Sequence, residues 1–311
     1  MTSFTYELSI CIASYKALDY LVRCLDAVYQ HPPDVSFEII LVNDFSGDGT
    51  AEEIARRFPR IHYIENPGPV GIAKGFNMAF AQATGRYLVQ LSADAIPLPG
   101  ALQTLYAFMV GNPETGMAGG KVLNPDGTLQ PCGRRFPTLG SVLKNKIRYH
   151  VVPLKDYYRM PYRDYDAIEE VDELPNTCLI ISRLAYTRAG GLDEALRRYY
   201  DDIEWCLRIR KAGFKIYYVP TAQVVHYCYF YKYLAQDAAR LILMGYFSEL
   251  YVFKKHYPWW EFQVLRGAEI VEVLLRMMKW SVSLLFHREG RPALQERLRA
   301  GWQTIRTAVE M

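Results

Sequence analysis

The amino-acid sequence predicts an α/β protein with a mostly parallel β-sheet flanked by helices, followed by a C-terminal helical appendage. Two observations lead to this prediction. The first 95 residues alternate β-rich apolar runs with stretches of helical periodicity, which is the order that parallel strands joined by crossover helices require. Later in the chain, two long helical patterns follow an aromatic stretch, at about 232–256 and 262–286. We therefore expect one domain over residues 1–226 and a helical region over 227–311.

The first part of the chain contains four predicted strands, each followed by a predicted helix. The strands are expected at 8–14, 37–44, 61–66 and 86–94. The helices are expected at 17–30, 48–58, 70–83 and 99–111. In such sheets, ligands bind at the carboxyl ends of the strands. Those ends carry polar residues, namely Ser14, Tyr15, Asn43, Asp44, Asn66 and Asp94. The sequence therefore predicts a binding site along this edge.

The second part of the domain is less regular. Residues 117–136 are expected to form a strand, a turn and a second strand. The segment 144–175 is polar, rich in tyrosine and weakly periodic, which indicates a mobile loop or a functional lid. Beyond it, the predicted elements are a strand at 178–183, a helix at 184–191, a helix at 201–213 and an extended run at 215–227.

Charge and composition limit the classes of partner. The 311 residues carry a formal net charge of +3, which argues against a general nucleic-acid binder. The charge is uneven, because residues 227–311 hold 12 Lys and Arg against 8 Asp and Glu. Since this basic excess lies among many aromatic residues, we expect an anionic surface as a partner of the C-terminal region.

The cysteines and the apolar runs indicate a cytoplasmic protein. The six cysteines are scattered without a C-x-x-C pair, so we expect reduced thiols buried in the core. The N-terminus has no basic segment followed by a long apolar stretch, and we interpret it as a strand rather than a signal peptide. No window reaches the roughly 18 uncharged apolar residues of a transmembrane helix.

Two segments near the strand ends suit a nucleotide. In "VNDFSGDGT" (42–50), Asn43 and Asp44 end a strand, and a carboxylate there accepts hydrogen bonds from a base or a ribose. The alternative is a turn that only caps the next helix. In "NPGPVGIAKGFN" (66–77), glycines and prolines precede a helix start with Lys74 one turn in, which suits a diphosphate. This segment matches neither the P-loop nor the dinucleotide-binding pattern.

Two further segments carry possible catalytic groups. In "YYDDIEWCLRIRKAG" (199–213), Asp201, Asp202 and Glu204 cluster at a helix start. Acids stabilise a helix start, but two adjacent carboxylates exceed what a cap needs, and a crowded carboxylate can serve as a general base. Arg208 lies four residues after Glu204, so it is either a support for the site or simply an ion-pair partner. His226 follows a strand-like run and is either structural or a ligand.

Taken together and in order, these segments resemble the family 2 glycosyltransferases, which have the GT-A (Rossmann-like) fold. "VNDFSGDGT" is similar to the family's "VDDxSxDGT"-type segment, and "NPGPVGIAKGFNMAFAQATGRYLVQLSAD" resembles its "NxGxxxxxNxGxxxAxGxYLLxLNPD" stretch. The resemblance covers about residues 7–255. More narrowly, it points to the rhamnosyltransferase-like branch of bacterial surface-polysaccharide synthesis.

The resemblance implies a role for each matching residue. The nucleotide-sugar donor would be bound by Ala13, Ser14, Tyr15, Asn43, Asp44, Lys74, Asn77 and Ser92. The metal or the diphosphate would be held by Asp94 and His226. Asp202 would be the catalytic base, supported by Asp201, Glu204 and Arg208. The acceptor side would include Thr177 and Cys178, with 144–175 as a mobile acceptor-side loop.

The chain departs from the family pattern at the metal motif and at the base site. Ser92 stands where an acid or Asn often begins the metal motif, which leaves Asp94 as the one carboxylate there. One carboxylate can hold an ion that also binds diphosphate and water, so we expect weakly held Mg²⁺ or Mn²⁺ and no organic cofactor. Asn43 replaces an acid, which leaves open a dTDP-, UDP- or GDP-linked donor.

The resemblance implies an inverting hexosyltransferase that acts on a hydroxyl of a glycan or a polyprenyl-linked saccharide. Two other classes compete with this interpretation. A non-catalytic nucleotide-sugar-binding relative is disfavoured by the presence of Asp94 and Asp202. A nucleotidyltransferase would need a basic phosphate loop near the N-terminus, where only Lys16 occurs.

The C-terminal region predicts either membrane binding or self-association. One narrow polar stripe runs along the second long helix, and it consists of Glu269, Glu272, Arg276, Lys279 and Ser283. The remaining positions are mostly apolar, and Trp259, Trp260 and Trp280 suit a membrane interface. We expect peripheral binding to the cytoplasmic face of the inner membrane. The alternative is a helical bundle or a homodimer through the same helices.

Overall fold

The computed structural model describes residues 4–132, 135–151, 164–196, 199–228, 238–286 and 291–311. The chain divides into two compact units. The first, called here the sheet unit, comprises 1–136, 158–197 and 202–229. The second, called here the helical unit, comprises 137–157, 198–201 and 230–311.

Nine strands form one sheet within the described residues. They are β1 (Tyr6–Ser14), β2 (Phe37–Asn43), β3 (His62–Glu65), β4 (Gly85–Ser92), β5 (Ala95–Pro97), β6 (Thr115–Leu123), β7 (Glu169–Glu170), β8 (Cys178–Ser182) and β9 (Lys215–His226). Their order is β3-β2-β1-β4-β8-β6-β9-β5, and β7 pairs with β9. The first four strands of this order are parallel, whereas β8 is antiparallel to both of its neighbours.

The sheet unit contains six helices among its described residues. They are α1 (Leu18–Gln30), α2 (Thr50–Arg57), α3 (Ile72–Gln82), α4 (Ala101–Gly111), α6 (Arg183–Ala189) and α7 (Asp201–Lys211). The described residues of the helical unit contain α5 (Leu139–Val151), α8 (Ala238–His256), α9 (Trp259–Phe286) and α10 (Arg291–Glu310). Within those residues, no helix combines the length and apolar character that crossing a membrane requires.

Both faces of the sheet are covered by apolar layers. Along β1, Leu8, Ile10 and Ile12 belong to one buried cluster, and Cys11 and Ala13 belong to the other. Such double burial explains why the strands read as continuous apolar runs. The parallel register pairs Ser14 with Asn43 and Ala13 with Ser92, so the ends of three strands meet at one edge. The fold therefore gathers the predicted polar residues where a ligand can reach them.

The α/β class and the flanking helices are confirmed, and one local prediction, the second strand within 117–136, is wrong. The sheet is mixed, with four adjacent parallel strands. After the turn at 124–127 there is no second strand in the described residues, only an isolated bridge between Leu123 and Leu129. The segment 144–175 begins inside α5, which continues to Val151. Its residues 152–163 lie outside the described part of the chain.

Helix α5 has weak periodicity because one of its inward positions is a lysine. Val142 is fully buried in the core of the helical unit. One turn later, the Lys146 ammonium lies 2.7 Å from Glu269 Oε1, 3.0 Å from Glu249 Oε2 and 3.2 Å from Glu272 Oε2. Tertiary ion pairs therefore stabilise a segment whose hydrophobic pattern predicts an irregular loop.

Three acids share this buried site with one lysine, so their protonation is uneven. Burial, together with a hydrogen bond to Glu249, raises the pKa of Glu269 to about 10. Burial also works against the Lys146 ammonium, but the three carboxylates outweigh it and raise the pKa of Lys146. Arg276 donates to Glu272 Oε1 at 2.6 Å. With Glu269 protonated, two cations face two carboxylates, and the cluster is electrically balanced.

We predict that Lys146→Met lowers the free energy of unfolding by about 3 kcal/mol, because it leaves buried carboxylates without their cation. Urea unfolding followed by circular dichroism measures this loss. The deficit should shrink at acidic pH, where the buried acids take up protons. Lys279→Met, which changes an exposed lysine of α9, is the matched control. Equal stability of the two variants would contradict the role of Lys146.

Candidate active site

The Asp44 carboxylate organises the loop at the carboxyl edge of the sheet. Asp44 Oδ1 accepts from the Asn66 amide at 3.0 Å and from the Val70 backbone N–H at 2.7 Å. Asp44 Oδ2 accepts from the Gly71 N–H at 2.9 Å, just before α3. Gly71 has a positive φ of 90°, which suits glycine. The buried Asp44 thus holds the loop and the start of α3 in place, and its predicted contact with a base stays a prediction.

Asn43 is also engaged with protein groups. Its Oδ1 accepts from the Ser46 hydroxyl at 2.5 Å, and its amide donates to Glu65 Oε2 at 2.9 Å. The Ser46 hydroxyl in turn accepts from the Lys16 backbone N–H at 2.8 Å. The loops that follow β1 and β2 are therefore tied together through side chains. The alternative of a capping turn is also realised in part, since Asp48 accepts from the Thr50 N–H at 3.3 Å.

At the end of β1, the Ser14 hydroxyl is a polar group that the described protein groups leave unsatisfied. Ser14 is buried, and its hydroxyl has no hydrogen-bond partner among the described residues. Ala13 is buried against α3, where an added Cβ on Gly75 would come within 3.2 Å of the Ala13 Cβ. Tyr15 is half-buried, and the Lys16 ammonium lies 5.3 Å from its ring centroid. Such an unsatisfied buried hydroxyl is a candidate contact for a ligand.

Helix α3 presents one predicted residue to solvent and uses the other internally. Lys74 is exposed in the first turn of α3, so its ammonium is accessible to a diphosphate. The Asn77 amide donates to the Leu192 carbonyl at 2.9 Å and accepts from the Leu192 N–H at 2.8 Å. An added Cβ on Gly191 would lie 2.3 Å from Asn77 Oδ1, so the glycine permits this close contact. Asn77 thus anchors the segment before α7.

Ser92, Thr177 and Cys178 lie where β4 pairs with β8, at the carboxyl edge of the sheet. The Ser92 hydroxyl donates to the Asn176 carbonyl at 2.8 Å, and its N–H donates to the Thr177 carbonyl at 2.9 Å. Thr177 is buried, and Cys178 begins β8 inside the core. Burial raises the pKa of the Cys178 thiol to about 12. Ser92 therefore takes a structural position at the place where the resemblance implies the start of the metal motif.

Asp94 and His226, the two residues that the resemblance assigns to the metal or the diphosphate, lie together. Strand β5 pairs with β9, and Asp94 Oδ1 is 3.4 Å from His226 Nε2. Two residues that sequence reasoning missed complete the cluster. The Gln130 Oε1 lies 2.8 Å from His226 Nδ1, and the Cys228 sulfur lies 3.5 Å from the same nitrogen. The H-x-C spacing of His226 and Cys228 is a weak signal. Gln130 gives no signal in the sequence, because it lies 96 positions before His226.

This geometry fits a divalent cation held by few protein atoms. One carboxylate oxygen and one imidazole nitrogen that are 3.4 Å apart can be neighbouring ligands of a single ion. The described residues contain no group of three or more His, Cys, Asp and Glu placed to hold a metal. The remaining ligands would then come from the diphosphate and water.

Without a bound metal, the raised pKa of His226 favours the imidazolium, with protons on both ring nitrogens, at neutral pH. Burial by itself lowers the pKa of His226, but the hydrogen bonds and charges of Asp94 and Cys228 outweigh it and raise the pKa to about 9. Burial raises the pKa of the Cys228 thiol. The hydrogen bond and the charge of the His226 imidazolium outweigh burial, so the pKa of Cys228 falls below its ordinary value. A metal at this site would have to displace the proton.

Helix α7 holds Asp202 in a fixed position, because other residues of the helix pack in the core. Asp202 is half-buried, and its Oδ1 accepts from the Ile203 N–H at 2.9 Å. Trp205 and Cys206 of the same helix pack in the core cluster that contains Ala13 and Val42. Asp201 is the first residue of α7 and is half-buried. The helix therefore fixes the Asp202 carboxylate relative to the strands that end at the predicted site.

Glu204 and Arg208 form the ion pair that sequence spacing allows. The guanidinium donates to Glu204 Oε2 at 2.7 Å, and this carboxylate is fully buried. The same guanidinium donates to the carbonyls of Ala189 and Gly191, the latter at 2.6 Å. Trp205 Nε1 donates to the Gly190 carbonyl at 2.7 Å. Arg208 thus positions the loop 189–191 and supports the site through structure.

We predict that the His226 imidazole titrates near pH 9, which NMR of the labelled ring measures. Because this pKa lies above the ordinary value of about 6.5, the pair with Asp94 contributes full stability below about pH 6.5. That contribution is lost as the pH rises through about 9. Asp94→Asn should lower the pKa of His226. An unchanged titration in this variant would contradict the pairing.

Comparisons with known proteins identify the family and the fold. The sequence model of Glycosyl transferase family 2 matches residues 9–166. An N-acetylglucosaminyl-diphospho-decaprenol L-rhamnosyltransferase of Mycobacterium tuberculosis is 24% identical over 255 residues, covering 74% of this chain and 80% of that protein. Rhamnosyltransferase WbbL of Escherichia coli is 23% identical over 231 residues, covering 71% of this chain and 83% of WbbL.

Two solved structures share the fold. The mannosyltransferase PcManGT from Pyrobaculum calidifontis, in complex with GDP-Man and Mn²⁺, has a TM-score of 0.55 and 16% identity, covering 98% of this chain and 88% of its own. TarS of Staphylococcus aureus, residues 1–349, has a TM-score of 0.53 and 15% identity, covering 98% and 90%. The fold is that of GT-A glycosyltransferases, and the chain belongs to glycosyl transferase family 2.

Proposed function

We propose that this chain is an inverting glycosyltransferase of cell-surface polysaccharide synthesis. It moves rhamnose or another hexose from a nucleotide-diphosphate donor to a hydroxyl of a glycan or lipid-linked saccharide. The observation that carries the proposal is the Asp94–His226 pair, 3.4 Å apart, at the carboxyl edge of a family 2 sheet. Family membership speaks against the nucleotidyltransferase alternative. Residues 1–226 would be the catalytic domain.

Relatives support the sugar and the acceptor class. The mycobacterial relative is named for transfer of L-rhamnose to N-acetylglucosaminyl-diphospho-decaprenol, and WbbL is named a rhamnosyltransferase. An O-antigen biosynthesis protein of Myxococcus xanthus is also similar, at 24% identity over 226 residues, which cover 72% of this chain and 17% of that protein. We therefore favour a saccharide on a polyprenyl diphosphate as acceptor, and a peripheral location at the cytoplasmic face of the inner membrane. The acceptor side would include Thr177 and Cys178.

The donor would bind along the edge that Asp44 organises. The nucleoside would contact the unsatisfied Ser14 hydroxyl and the half-buried Tyr15, beside Ala13 and Asn43. The exposed Lys74, in the first turn of α3, would meet the diphosphate near the positive end of that helix. Since both ends of the Asn43 amide are engaged, the choice among dTDP, UDP and GDP is left to other contacts.

Asp94 and His226 would hold a divalent cation, Mg²⁺ or Mn²⁺, against the donor diphosphate. The cation supplies positive charge that offsets the negative charge of the leaving group. Asp202 would remove the proton from the acceptor hydroxyl while that oxygen attacks the anomeric carbon from the side opposite the diphosphate. One in-line displacement of this kind inverts the configuration at the anomeric carbon. Asp201, Glu204 and Arg208 would keep Asp202 in position.

We predict that Asp202→Asn lowers turnover by at least about 10²-fold, because the amide cannot accept the hydroxyl proton. Donor affinity, measured by calorimetry with a panel of nucleotide sugars, should persist. Asp34→Asn, an exposed acid after α1, is the control and should retain wild-type turnover. Near wild-type turnover of Asp202→Asn would rule out Asp202 as the base.

We predict that removing divalent cations with EDTA lowers turnover and that added Mn²⁺ or Mg²⁺ restores it. Asp94→Asn should raise the cation concentration needed for half-maximal turnover, because it removes the one carboxylate of the pair. The cation requirement should ease as the pH rises toward 9, since His226 then loses its proton. Full activity in metal-free buffer would remove Asp94 and His226 from a metal-binding role.

A further inference from the structure

We propose that helix α9 docks the enzyme on an anionic lipid bilayer through an exposed apolar face. This face, called here the α9 apolar face, consists of side chains that the structure leaves exposed: Trp260, Val264, Val271, Leu274, Leu275, Met278 and Val282. Val271 is 56% exposed and Met278 is 61% exposed. Fully apolar side chains with such exposure rarely line up in a soluble protein unless they bind something.

The α9 apolar face is a continuous stripe. At 3.6 residues per turn, its members fall within an arc of about 100°, and from Trp260 to Val282 it runs about 33 Å. Gly267 is a small exposed residue within the stripe, Ser281 lies beside it, and Lys279 is the exposed charge at its margin. On the opposite side of the helix, Phe262, Leu265 and Val273 are buried.

Three charged residues of α9 point inward, whereas an ordinary surface helix turns its charged residues toward water. Glu269 and Glu272 are buried and contact Lys146, and Arg276 contacts Glu272. Burying charge is costly unless it is paired. In the helical unit, the ion pairs of the balanced cluster offset this cost, and the side chains of the α9 apolar face remain exposed. Water would favour the reverse orientation, so the α9 apolar face is shaped for a nonaqueous surface.

Charge distinguishes a lipid surface from a second copy of this chain. In the described side chains of the helical unit, seven exposed residues are basic, namely Lys144, Lys254, Lys255, Lys279, Arg297, Arg299 and Arg306. Two exposed residues, Glu296 and Glu310, are acidic. A second copy would bring the same positive excess and repel it, whereas anionic lipid headgroups attract it.

The tryptophans match an interfacial depth. Trp259 and Trp260 are exposed at the start of α9, and Trp280 is half-exposed near its other end. Trp302 is exposed on α10 between Arg299 and Arg306, at helical spacing. Tryptophan prefers the headgroup region, and a helix with an apolar stripe and basic neighbours lies in the plane of that region. The biological purpose of docking rests on the proposed lipid-linked acceptor, which such a surface would present.

The test is co-sedimentation of the full chain with vesicles of phosphatidylglycerol and phosphatidylethanolamine. Wild type should bind these vesicles, and binding should weaken at high ionic strength and on purely zwitterionic vesicles. The double variant Val271→Glu/Met278→Glu should lose binding by at least about tenfold, because it places two carboxylates in the α9 apolar face. The matched control Val110→Glu/Leu184→Glu changes exposed apolar residues of the sheet unit and should bind as wild type does.

Two further measurements separate the outcomes. Donor hydrolysis without vesicles should be unchanged in the α9 variant, so that loss of docking is distinct from failure of the proposed glycosyl transfer. Circular dichroism should confirm the fold of each variant. Wild-type binding by the α9 variant would overturn the inference. So would a wild-type dimer, seen by analytical ultracentrifugation, that becomes monomeric in the α9 variant while wild type fails to bind vesicles.

Discussion

The Asp44 carboxylate is the constraint on which the donor edge depends. It accepts three hydrogen bonds from the chain that leads into α3, and it thereby fixes where that helix begins. A start of α3 that is fixed in this way gives Lys74 a defined place beside the strand ends. Asn77 and Arg208 act similarly farther out, because each holds backbone of the segment that leads to α7. The edge is thus built from polar groups that are satisfied by protein, and it needs few free ones.

Sequence reasoning predicted this edge because parallel strands place their carboxyl ends together. Asn43, Ser14 and Asp94 could be assigned to it from strand boundaries alone. Sequence reasoning could not separate residues that face a ligand from residues that hold the edge together. This distinction depends on contacts between distant segments. The bond from Asn77 to Leu192 spans 115 positions and that from Gln130 to His226 spans 96. The antiparallel place of β8 between β4 and β6 is equally nonlocal.

In the helical unit, too, a contact between distant segments determines what the sequence pattern alone does not predict. The narrow polar stripe of α9 was readable from its spacing, but the usual rule would turn that stripe toward water. Lys146, which lies 123 positions before Glu269, reverses the orientation by pairing with it. The same lysine makes α5 a helix where the sequence indicates a loop. Lys146 therefore contributes both to the helical conformation of α5 and to the inward orientation of the acids of α9.

The proton on His226 links the two halves of the proposed chemistry. A cation at Asp94 must displace a proton whose pKa is about 9, so the pair on its own is a poor metal site near neutral pH. A donor diphosphate adds negative charge and further oxygen ligands, and both favour the cation over the proton. Cation and donor should therefore bind cooperatively. Ser92, where the resemblance implies an acid or Asn, fits this reasoning, because a site that is completed by its substrate needs fewer ligands of its own.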